Sequence, residues 1–380
     1  MARKQIASGV DDVGKGWCGP FVDGNDNVYV IKQNDMWKAG TDPLVDAWTI
    51  QDAANDPNIA IGSGELAAWQ DGTEIHYVAY DSTDARYEYS RFRTSDHASA
   101  DTWANQDEVI DTPTNAPTTP ACFIAVRSDG DVIVLYNGDT DKIMGVDYER
   151  VDYARREGGT WTSGINVHGD GLEQSFLASG IGRDSSDYIH FAFGASAGSC
   201  LSKSLSAANA LSGLVTVSSD SDADPTMASP TVVFNDRAGA DVMTFAYRVA
   251  ATGEWESRAV RDRTNSELTA SMSGTDADAD PHICLAVDGD DVYAVYRDDG
   301  DDINYQKKAD QGAWGEITTV STATAPTEIS ANVIDHGGGK VLAVVYADTN
   351  TYYDELYIGP VSLPTPLPYQ NRRHNHLLRR

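Results

Sequence analysis

The sequence has 380 residues, 41% of them hydrophobic, which is enough for one large domain or two ordinary ones. Its formal net charge of −30, from 58 acidic and 28 basic residues, excludes nucleic acid as a partner of the main body because phosphates would be repelled. No apolar run approaches the roughly 18 residues of a membrane span, and the N-terminus MARKQIASGVDD has no apolar secretory segment. We therefore expect neither membrane insertion nor a signal peptide.

The kind of charge is informative as well as its amount. Only nine of the basic residues are lysines, and aspartate greatly outnumbers glutamate. A surface rich in aspartate and poor in lysine resembles that of proteins from halophiles. At molar salt the Debye length falls to about 3 Å, which screens the self-repulsion of such a surface. An ordinary acidic surface is the alternative interpretation.

Short strands recur along the chain. After an N-terminal strand, KQIAS, come seven related apolar strands: VYVIK, IHYVAY, VIVLY, YIHFAF, VMTFAY, VYAVY and VLAVVY. They end at Lys32, Tyr80, Tyr136, Phe193, Tyr247, Tyr296 and Tyr346, in steps of 48 to 57 residues. Each belongs to a unit with an apolar first strand, a turn rich in Asp and Gly, this β-branched second strand, a third strand and a fourth strand. Tryptophan marks the fourth strand in five units, as Trp48, Trp103, Trp161, Trp255 and Trp314.

Four strands in each unit and seven units predict an all-β fold, a seven-bladed β-propeller with four-stranded blades. The seventh unit shows only three clear strands, so we expect the N-terminal strand to supply the fourth and close the ring. The predicted propeller covers residues 1–362. Residues 363–380 are predicted to form a Pro-rich spacer and a basic C-terminal tail. Four widely separated cysteines form no CxxC pair and predict free thiols rather than a zinc site.

The tryptophan turns also carry a family resemblance. KADQGAW at 308–314, REGGTW at 156–161 and TGEW at 252–255 resemble degenerate forms of the motif Ser-x-Asp-x-Gly-x-Thr-Trp. The chain thus resembles the sialidase-like, Asp-box (BNR-repeat) β-propeller superfamily. That resemblance implies a propeller and a choice among sialidases, other glycosidases, polysaccharide lyases and sugar-binding lectins, so the fold does not determine the function.

The sequence shows no catalytic motif of these enzymes. The resemblance implies a Phe/Tyr-Arg-Ile-Pro motif near the N-terminus of a sialidase, but the first unit reads CGPFVDGNDNVYV. A propeller lyase requires His and Tyr for proton transfer, for which His168 and His336 in predicted loops are the candidates. The sequence therefore assigns no catalytic residue and favours a non-catalytic module. A polysaccharide lyase or glycosidase of the Asp-box propeller type remains the alternative.

Acidic loops suggest calcium as the one cofactor. Asp276, Asp278 and Asp280 alternate as in a calcium loop, although Val287 stands where an EF-hand has Glu. In a propeller this link between blades opens on the same face as the turn that holds Asp299 and Asp301. The sequence predicts a calcium site there, with solvated acidic loops as the alternative.

Ligand contacts were predicted from aromatic residues near loops. Tyr87 and Tyr89 in ARYEYS, and Tyr352 and Tyr353 in TNTYYDE, are expected to be exposed and to contact a glycan. The tail has the opposite charge to the body, and its assembly residues are predicted to be Arg372, Arg373, Leu377, Leu378, Arg379 and Arg380.

These features together predict a recognition or adhesion propeller without catalysis. We expect a virion surface protein, decorating a capsid or tail, of a virus of a halophilic host. Its predicted partners are a host-envelope glycan or glycoprotein and, through the tail, other structural proteins of the particle. A virion protein assembles in the cytosol and leaves by lysis, which accounts for an outward-facing location without a secretion signal.

Overall fold

The computed structural model describes residues 3–8, 17–143, 146–169, 171–172, 174–195, 198–219, 231–237, 240–249, 254–261, 265–275, 283–289, 291–298, 300–309, 313–322, 328–347 and 350–358. Within these ranges no residue lies in an α-helix. The described residues accordingly contain no helix long and apolar enough to cross a membrane.

The strands form seven antiparallel sheets of four strands each. The first sheet, in chain order, contains β2 (Trp17–Val22), β3 (Val28–Lys32), β4 (Asp35–Ala39) and β5 (Thr49–Gln51), and the second contains β6 (Ile61–Asp71), β7 (Glu74–Asp81), β8 (Arg86–Arg93) and β9 (Thr102–Asp111). The third sheet contains β10 (Cys122–Val126), β11 (Val132–Ile143), β12 (Val146–Glu157) and β13 (Thr160–His168). The fourth contains β14 (Phe176–Arg183), β15 (Ile189–Ala195), β16 (Ser199–Leu205) and β17 (Val215–Ser218).

The remaining three sheets complete the chain. The fifth sheet contains β18 (Thr231–Arg237), β19 (Ala240–Arg248), β20 (Glu254–Arg261) and β21 (Asn265–Thr275), and the sixth contains β22 (Ile283–Asp288), β23 (Asp291–Arg297), β24 (Asp302–Lys308) and β25 (Thr318–Thr322). The seventh contains β26 (Glu328–His336), β27 (Gly339–Ala347), β28 (Asn350–Tyr357) and the N-terminal β1 (Lys4–Ser8). Each of the seven related apolar strands found in the sequence is the second strand of its sheet.

The first strands of the sheets lie side by side in a closed ring. The contacting pairs are β2 with β6, β6 with β10, β10 with β14, β14 with β18, β18 with β22, β22 with β26, and β26 with β2. This arrangement is a β-propeller, and each sheet is a blade, numbered one to seven from β2 onward. The predicted all-β fold of four-stranded propeller blades is confirmed.

The N-terminal strand closes the ring as predicted. β1 pairs antiparallel with β28, with Gln5 opposite Tyr352 and Ser8 opposite Asn350, so the two ends of the propeller share blade seven. Ile6 projects from β1 into the apolar cluster between blades seven and one and is 6% exposed.

The core lies between the faces of neighbouring blades. All seven residues of β15 are buried, because a middle strand of a blade is covered on both faces. Such strands are therefore mostly apolar, as parallel-sheet strands are, instead of alternating with polar residues, although β15 includes the buried His190. This explains why the second strand gave the clearest sequence signal.

The predicted position of Trp255 needs correction, whereas the prediction of free cysteines is confirmed. Trp255 lies in β20, the third strand of blade five, and is fully buried instead of marking the fourth strand. All four cysteines are free thiols, as expected; Cys122 and Cys200 are buried, and Cys18 and Cys284 are half-buried.

Candidate functional site

A polar pocket of about 430 Å³ opens between blades six and seven. β25, the outermost strand of blade six, forms one wall, and β28 with the chain just before β1 forms the other. The described residues that line it are Arg3, Thr319, Val320, Ser321, Thr322 and Asp354.

The wall from blade six is a strand of β-branched and hydroxyl residues, TTVST. Val320 is 3% exposed and packs into the apolar cluster between the two blades, which anchors the strand. Thr319 and Thr322 are exposed, and the hydroxyl of Ser321 lies 2.8 Å from that of Tyr346. The strand therefore presents a row of hydroxyl groups above an apolar base.

The opposite wall carries a buried acid and a cation. Asp354 is 2% exposed, and burial raises the pKa of its carboxyl to about 6. The guanidinium of Arg3 lines the same pocket and lies 4.2 Å from the ring centroid of Tyr352. A carboxylate, a guanidinium, several hydroxyls and an aromatic ring thus meet at one seam between blades.

One residue beside this pocket, Tyr352, was predicted from the sequence as a ligand contact. Tyr352 is half-buried beside Arg3, at the margin of this pocket. Its role as a ligand contact stays a prediction. The role of Arg3 had no local signal, since only the pairing of β1 with β28 brings residue 3 next to blade seven.

The other predicted ligand tyrosines are not exposed. Tyr87, Tyr89 and Tyr353 each have 0% exposed surface, so the expectation that they present a free ring was wrong. They lie in third strands, which neighbouring blades cover on both faces. Tyr87, for example, donates its hydroxyl to the carbonyl of Asn137 at 2.7 Å and is a core residue.

A second polar cluster joins blades two and three. The guanidinium of Arg156 donates to both oxygens of Glu108 at 2.8 and 2.9 Å, and the indole of Trp161 donates to Glu108 Oε2 at 3.2 Å. Beneath them the hydroxyl of Tyr89 lies 2.8 Å from Nδ1 of His76. Burial lowers the pKa of His76 to about 3 and keeps it neutral. Because these groups satisfy one another, the cluster acts as a clamp between blades.

Tryptophans recur at such seams. Near the start of the fourth strand, Trp48 packs on Tyr353 with ring centroids 5.2 Å apart, and the indole of Trp314 donates to the Ser257 hydroxyl at 2.9 Å. In each case the tryptophan reaches the third strand of the preceding blade. The degenerate tryptophan motifs of the sequence therefore mark contacts between blades.

The two histidines expected in loops are instead the last residues of strands, His168 of β13 and His336 of β26. His336 is 4% exposed, with Nε2 3.1 Å from the Thr41 carbonyl and Nδ1 3.0 Å from Glu355. Burial alone would lower its pKa, but the Glu355 carboxylate outweighs burial and raises it. His168 packs against Phe176 at 4.5 Å between ring centroids. Neither histidine lines the pocket between blades six and seven.

Of the five aspartates predicted to bind calcium in blade six, Asp301 lies among the described residues. Asp276, Asp278, Asp280 and Asp299 lie outside the described residues. Asp301 lies in the β23–β24 turn with a φ of 63°, and its amide donates to the Asp298 carbonyl. Asp298 Oδ1 accepts the amides of Gly300 and Asp302, and Oδ2 accepts the side-chain amide of Asn304 in β24.

Other acidic turns have the same construction. Asp23, Asp81 and Asp184 each accept hydrogen bonds from backbone amides of the turn that follows. Much of the aspartate in the loops therefore stabilises turns, as Asx turns do. The predicted tail residues Arg372, Arg373, Leu377, Leu378, Arg379 and Arg380 lie outside the described residues, as does the boundary at 362.

The ring of four-stranded sheets defines the chain as a β-propeller, and comparison with solved structures agrees. The BP39L lectin from Burkholderia pseudomallei is similar with a TM-score of 0.63 and 12% identity, over 94% of this chain and 98% of that chain. AofleA from Arthrobotrys oligospora gives a TM-score of 0.54 at 12% identity, over 85% and 91%.

A third similar structure is a mutant of the Aleuria aurantia lectin in complex with alpha-methyl-L-fucoside. It gives a TM-score of 0.51 at 13% identity, over 85% of this chain and 96% of that chain. That lectin is described as six-bladed, whereas the present chain forms seven sheets. At these identities the likeness concerns the fold. No protein-family model and no curated protein matches the sequence.

Proposed function

We propose that this propeller is a carbohydrate-binding module without catalytic activity, and that it holds a glycan in the pocket between blades six and seven. The observation that carries the proposal is the meeting of Arg3, Asp354 and the hydroxyls of β25 beside the ring of Tyr352. Charged groups and hydroxyls offer the directed hydrogen bonds that sugar hydroxyls need. Lectins among the similar propellers, one of them bound to a fucoside, support the same class of ligand.

A glycosidase is the second candidate, because a carboxyl group with a pKa of about 6 suits a general acid. Glycoside hydrolysis ordinarily uses a pair of carboxyl groups on either side of the scissile bond. Asp354 is the one carboxylic acid among the described residues that line this pocket. Binding is therefore favoured over hydrolysis.

We also propose the biological setting inferred from the sequence: display on the surface of a virus particle that meets a salt-adapted host. The net charge of −30 and the basic tail RRHNHLLRR support it. In this proposal the propeller contacts the glycans of the host envelope, and the tail joins other structural proteins of the particle.

The test is retention on a glycan array at high salt, followed by titration calorimetry of the best ligand. Arg3→Gln and Asp354→Asn should each weaken binding at least about tenfold, which corresponds to the loss of one charged hydrogen bond. Arg183→Gln is the matched control, since Arg183 also lies over an aromatic ring, that of Trp69 at 5.8 Å, at another seam.

Three outcomes would overturn the proposal: no retention of any glycan by the wild type, equal affinity in the pocket variants, or release of reducing ends from the bound glycan. The last outcome would establish the glycosidase instead. Retention on host envelope and on virus particles tests the biological setting separately.

A further inference from the structure

A group of three carboxylates lies in blade two, away from the pocket described above. Asp81 ends β7, Asp84 lies in the following turn, and Glu88 lies in β8. One oxygen from each of the three lies within 4.8 Å of the others. The group lines a surface pocket of about 340 Å³ together with residues 58–60 of the link from blade one.

The burial of Glu88 distinguishes this group from an ordinary acidic turn. Its side chain is 1% exposed, and it lines the pocket. Oε1 accepts a hydrogen bond from Nε of Arg86, but the buried Oε2 has no hydrogen-bond partner among the described residues. A buried carboxylate oxygen without a donor requires a compensating cation, a donor or a proton.

The charges around the pocket do not balance. Asp107 also lines it, so four carboxylates face one guanidinium, that of Arg86, which lies 3.0 Å from Asp84. A divalent cation would offset most of the excess negative charge. The side chain of Arg86 is 32% exposed and contacts both Asp84 and Glu88, so a cation at the site would compete with this guanidinium.

Backbone contacts hold the first ligand in position. Asp81 Oδ1 accepts the amides of Thr83 and Asp84 at 2.7 and 2.9 Å, and Oδ2 accepts the amide of Ala60 at 3.2 Å. Each oxygen keeps lone-pair capacity for a metal ion. The site is thus formed by the β7–β8 hairpin of blade two, with a backbone contact from the link that precedes β6.

The spacing indicates which cation fits. Calcium binds oxygen ligands at 2.3–2.6 Å, so two ligands of one ion lie at most about 5 Å apart. The limit of 4.8 Å within the group agrees with this geometry. Magnesium binds at about 2.1 Å and demands a regular octahedron, which three carboxylates in an open pocket do not provide.

We propose that Asp81, Asp84 and Glu88 form a calcium site, with water from the open pocket completing the coordination. The three ligands belong to the β7–β8 hairpin of blade two, and the Ala60 amide ties Asp81 to the link from blade one, so the bound ion would stabilise the hairpin against that link. It differs from the calcium site predicted in blade six, and it does not depend on glycan binding.

The test uses the full chain in molar NaCl, where screening by added salt is constant. Terbium luminescence sensitised by nearby tyrosines, and thermal unfolding with calcium up to about 10 mM, report binding. We expect saturable luminescence that calcium displaces, and a rise in Tm that magnesium at the same concentration does not reproduce.

Glu88→Gln and Asp84→Asn should each reduce the terbium affinity at least about tenfold and abolish the rise in Tm. Glu88→Gln keeps the shape of a buried side chain, and Asp84→Asn changes an exposed one, so a folding defect in the first leaves the second informative. Asp26→Asn is the matched control, because Asp26 is an exposed turn aspartate whose φ of 61° suits asparagine.

Three results would overturn the proposal. The first is a wild type whose luminescence and Tm ignore the ion. The second is an equal response to magnesium in all variants, which would mean screening of the acidic surface. The third is a calcium response that survives in both Glu88→Gln and Asp84→Asn, which would move the site to other acidic loops such as that of Asp276.

Discussion

The indole of Trp161 in blade three meets the phenol ring of Tyr89 in blade two edge to face, with 5.4 Å between ring centroids and an angle of 68°. The Arg156 guanidinium lies 5.4 Å from the same tyrosine ring and is tied to Glu108 of blade two. An aromatic contact and an ion pair therefore fasten the two blades at one place. Edge-to-face geometry and a cation over the ring are both favourable arrangements of an aromatic group.

Loss of this clamp should destabilise the whole ring. Trp161→Ala is expected to lower the free energy of unfolding by about 3 kcal/mol, the lower end for a large aromatic residue, because Trp161 is only half-buried. Trp161→Phe should lose less, since it keeps the ring contact but not the bond to Glu108. Urea denaturation measures both. A double-mutant cycle with Tyr89→Leu should give a coupling of about 1 kcal/mol, and zero coupling would show that the rings act independently.

Buried carboxyl groups should make the protein respond to pH near 6. Burial raises the pKa of Asp56 to about 6, from an ordinary value of 3.8, and nearby Asp35 and Asp52 add to this. A raised pKa contributes stability that is fully present below 3.8 and is lost as pH rises through 6. Asp56→Asn should therefore exceed the wild type by about 2 kcal/mol at pH 8 and equal it near pH 4.

The comparison with the wild type isolates Asp56 from other groups. Asparagine can still accept the indole N–H of Trp103, which lies 2.9 Å from Asp56. His76, with a pKa lowered to about 3, acts in the opposite direction below pH 6.5 but is unchanged in both proteins. Urea denaturation at several pH values measures the difference. A difference independent of pH would contradict the assignment.

Aspartates in turns should determine how the free energy of unfolding falls at low pH. Asp23 is 5% exposed and accepts hydrogen bonds from the Asn25 and Asn27 amides, the Tyr29 hydroxyl and the Ser95 hydroxyl. Burial opposes ionisation, but these donors prevail and lower the pKa of Asp23. Its stabilisation is present above 3.8 and is lost as pH falls through the lowered value.

Asp23→Ala should thus cost about 2 to 3 kcal/mol at pH 7, because several donors lose a charged acceptor. The loss should shrink as pH falls below about 3.8, where the wild type itself loses the contribution. Chemical denaturation across this range measures it, and Asp26→Asn in the same turn should leave stability unchanged. A constant loss at every pH would indicate that packing, not charge, is affected.

Salt should stabilise the protein steadily. With a net charge of −30, repulsion opposes the compact state in dilute buffer, and salt screens it. We expect Tm to climb from dilute to several molar NaCl without calcium. A Tm that stays flat or falls would contradict the prediction of a salt-adapted surface.

The sequence predicted the elements better than it predicted the site, for a physical reason. Strands such as the one ending at Tyr136 are apolar throughout because blades cover both faces, so the repeat was visible. The same burial misled the assignment of Tyr87, which is next to a loop in the sequence but in the core of the structure. Arg3 and Thr319 line the same pocket only because the ring closes, and no local sequence pattern predicts that these two residues come together.

The acidic group of blade two also follows a pattern in the sequence. The general rule placed the link between blades beside the turn of strands two and three, and the hydrogen bond from the Ala60 amide to Asp81 shows that neighbourhood. In blade two, Asp81, Asp84 and Glu88 lie in and beside that turn. What the sequence could not supply was the burial of Glu88, which distinguishes this group from solvated loops.

The closing strand also sets an order of events during synthesis. β1 leaves the ribosome first, yet its partner β28 is made last, and the Gln5 side chain bonds to that of Asn350. At about 5 to 20 residues per second, the first strand waits tens of seconds for its partner. Because Arg3 reaches the pocket only through this pairing, a nascent or truncated chain has no complete site. Under the proposed function, glycan binding would therefore report whether a given molecule has finished folding.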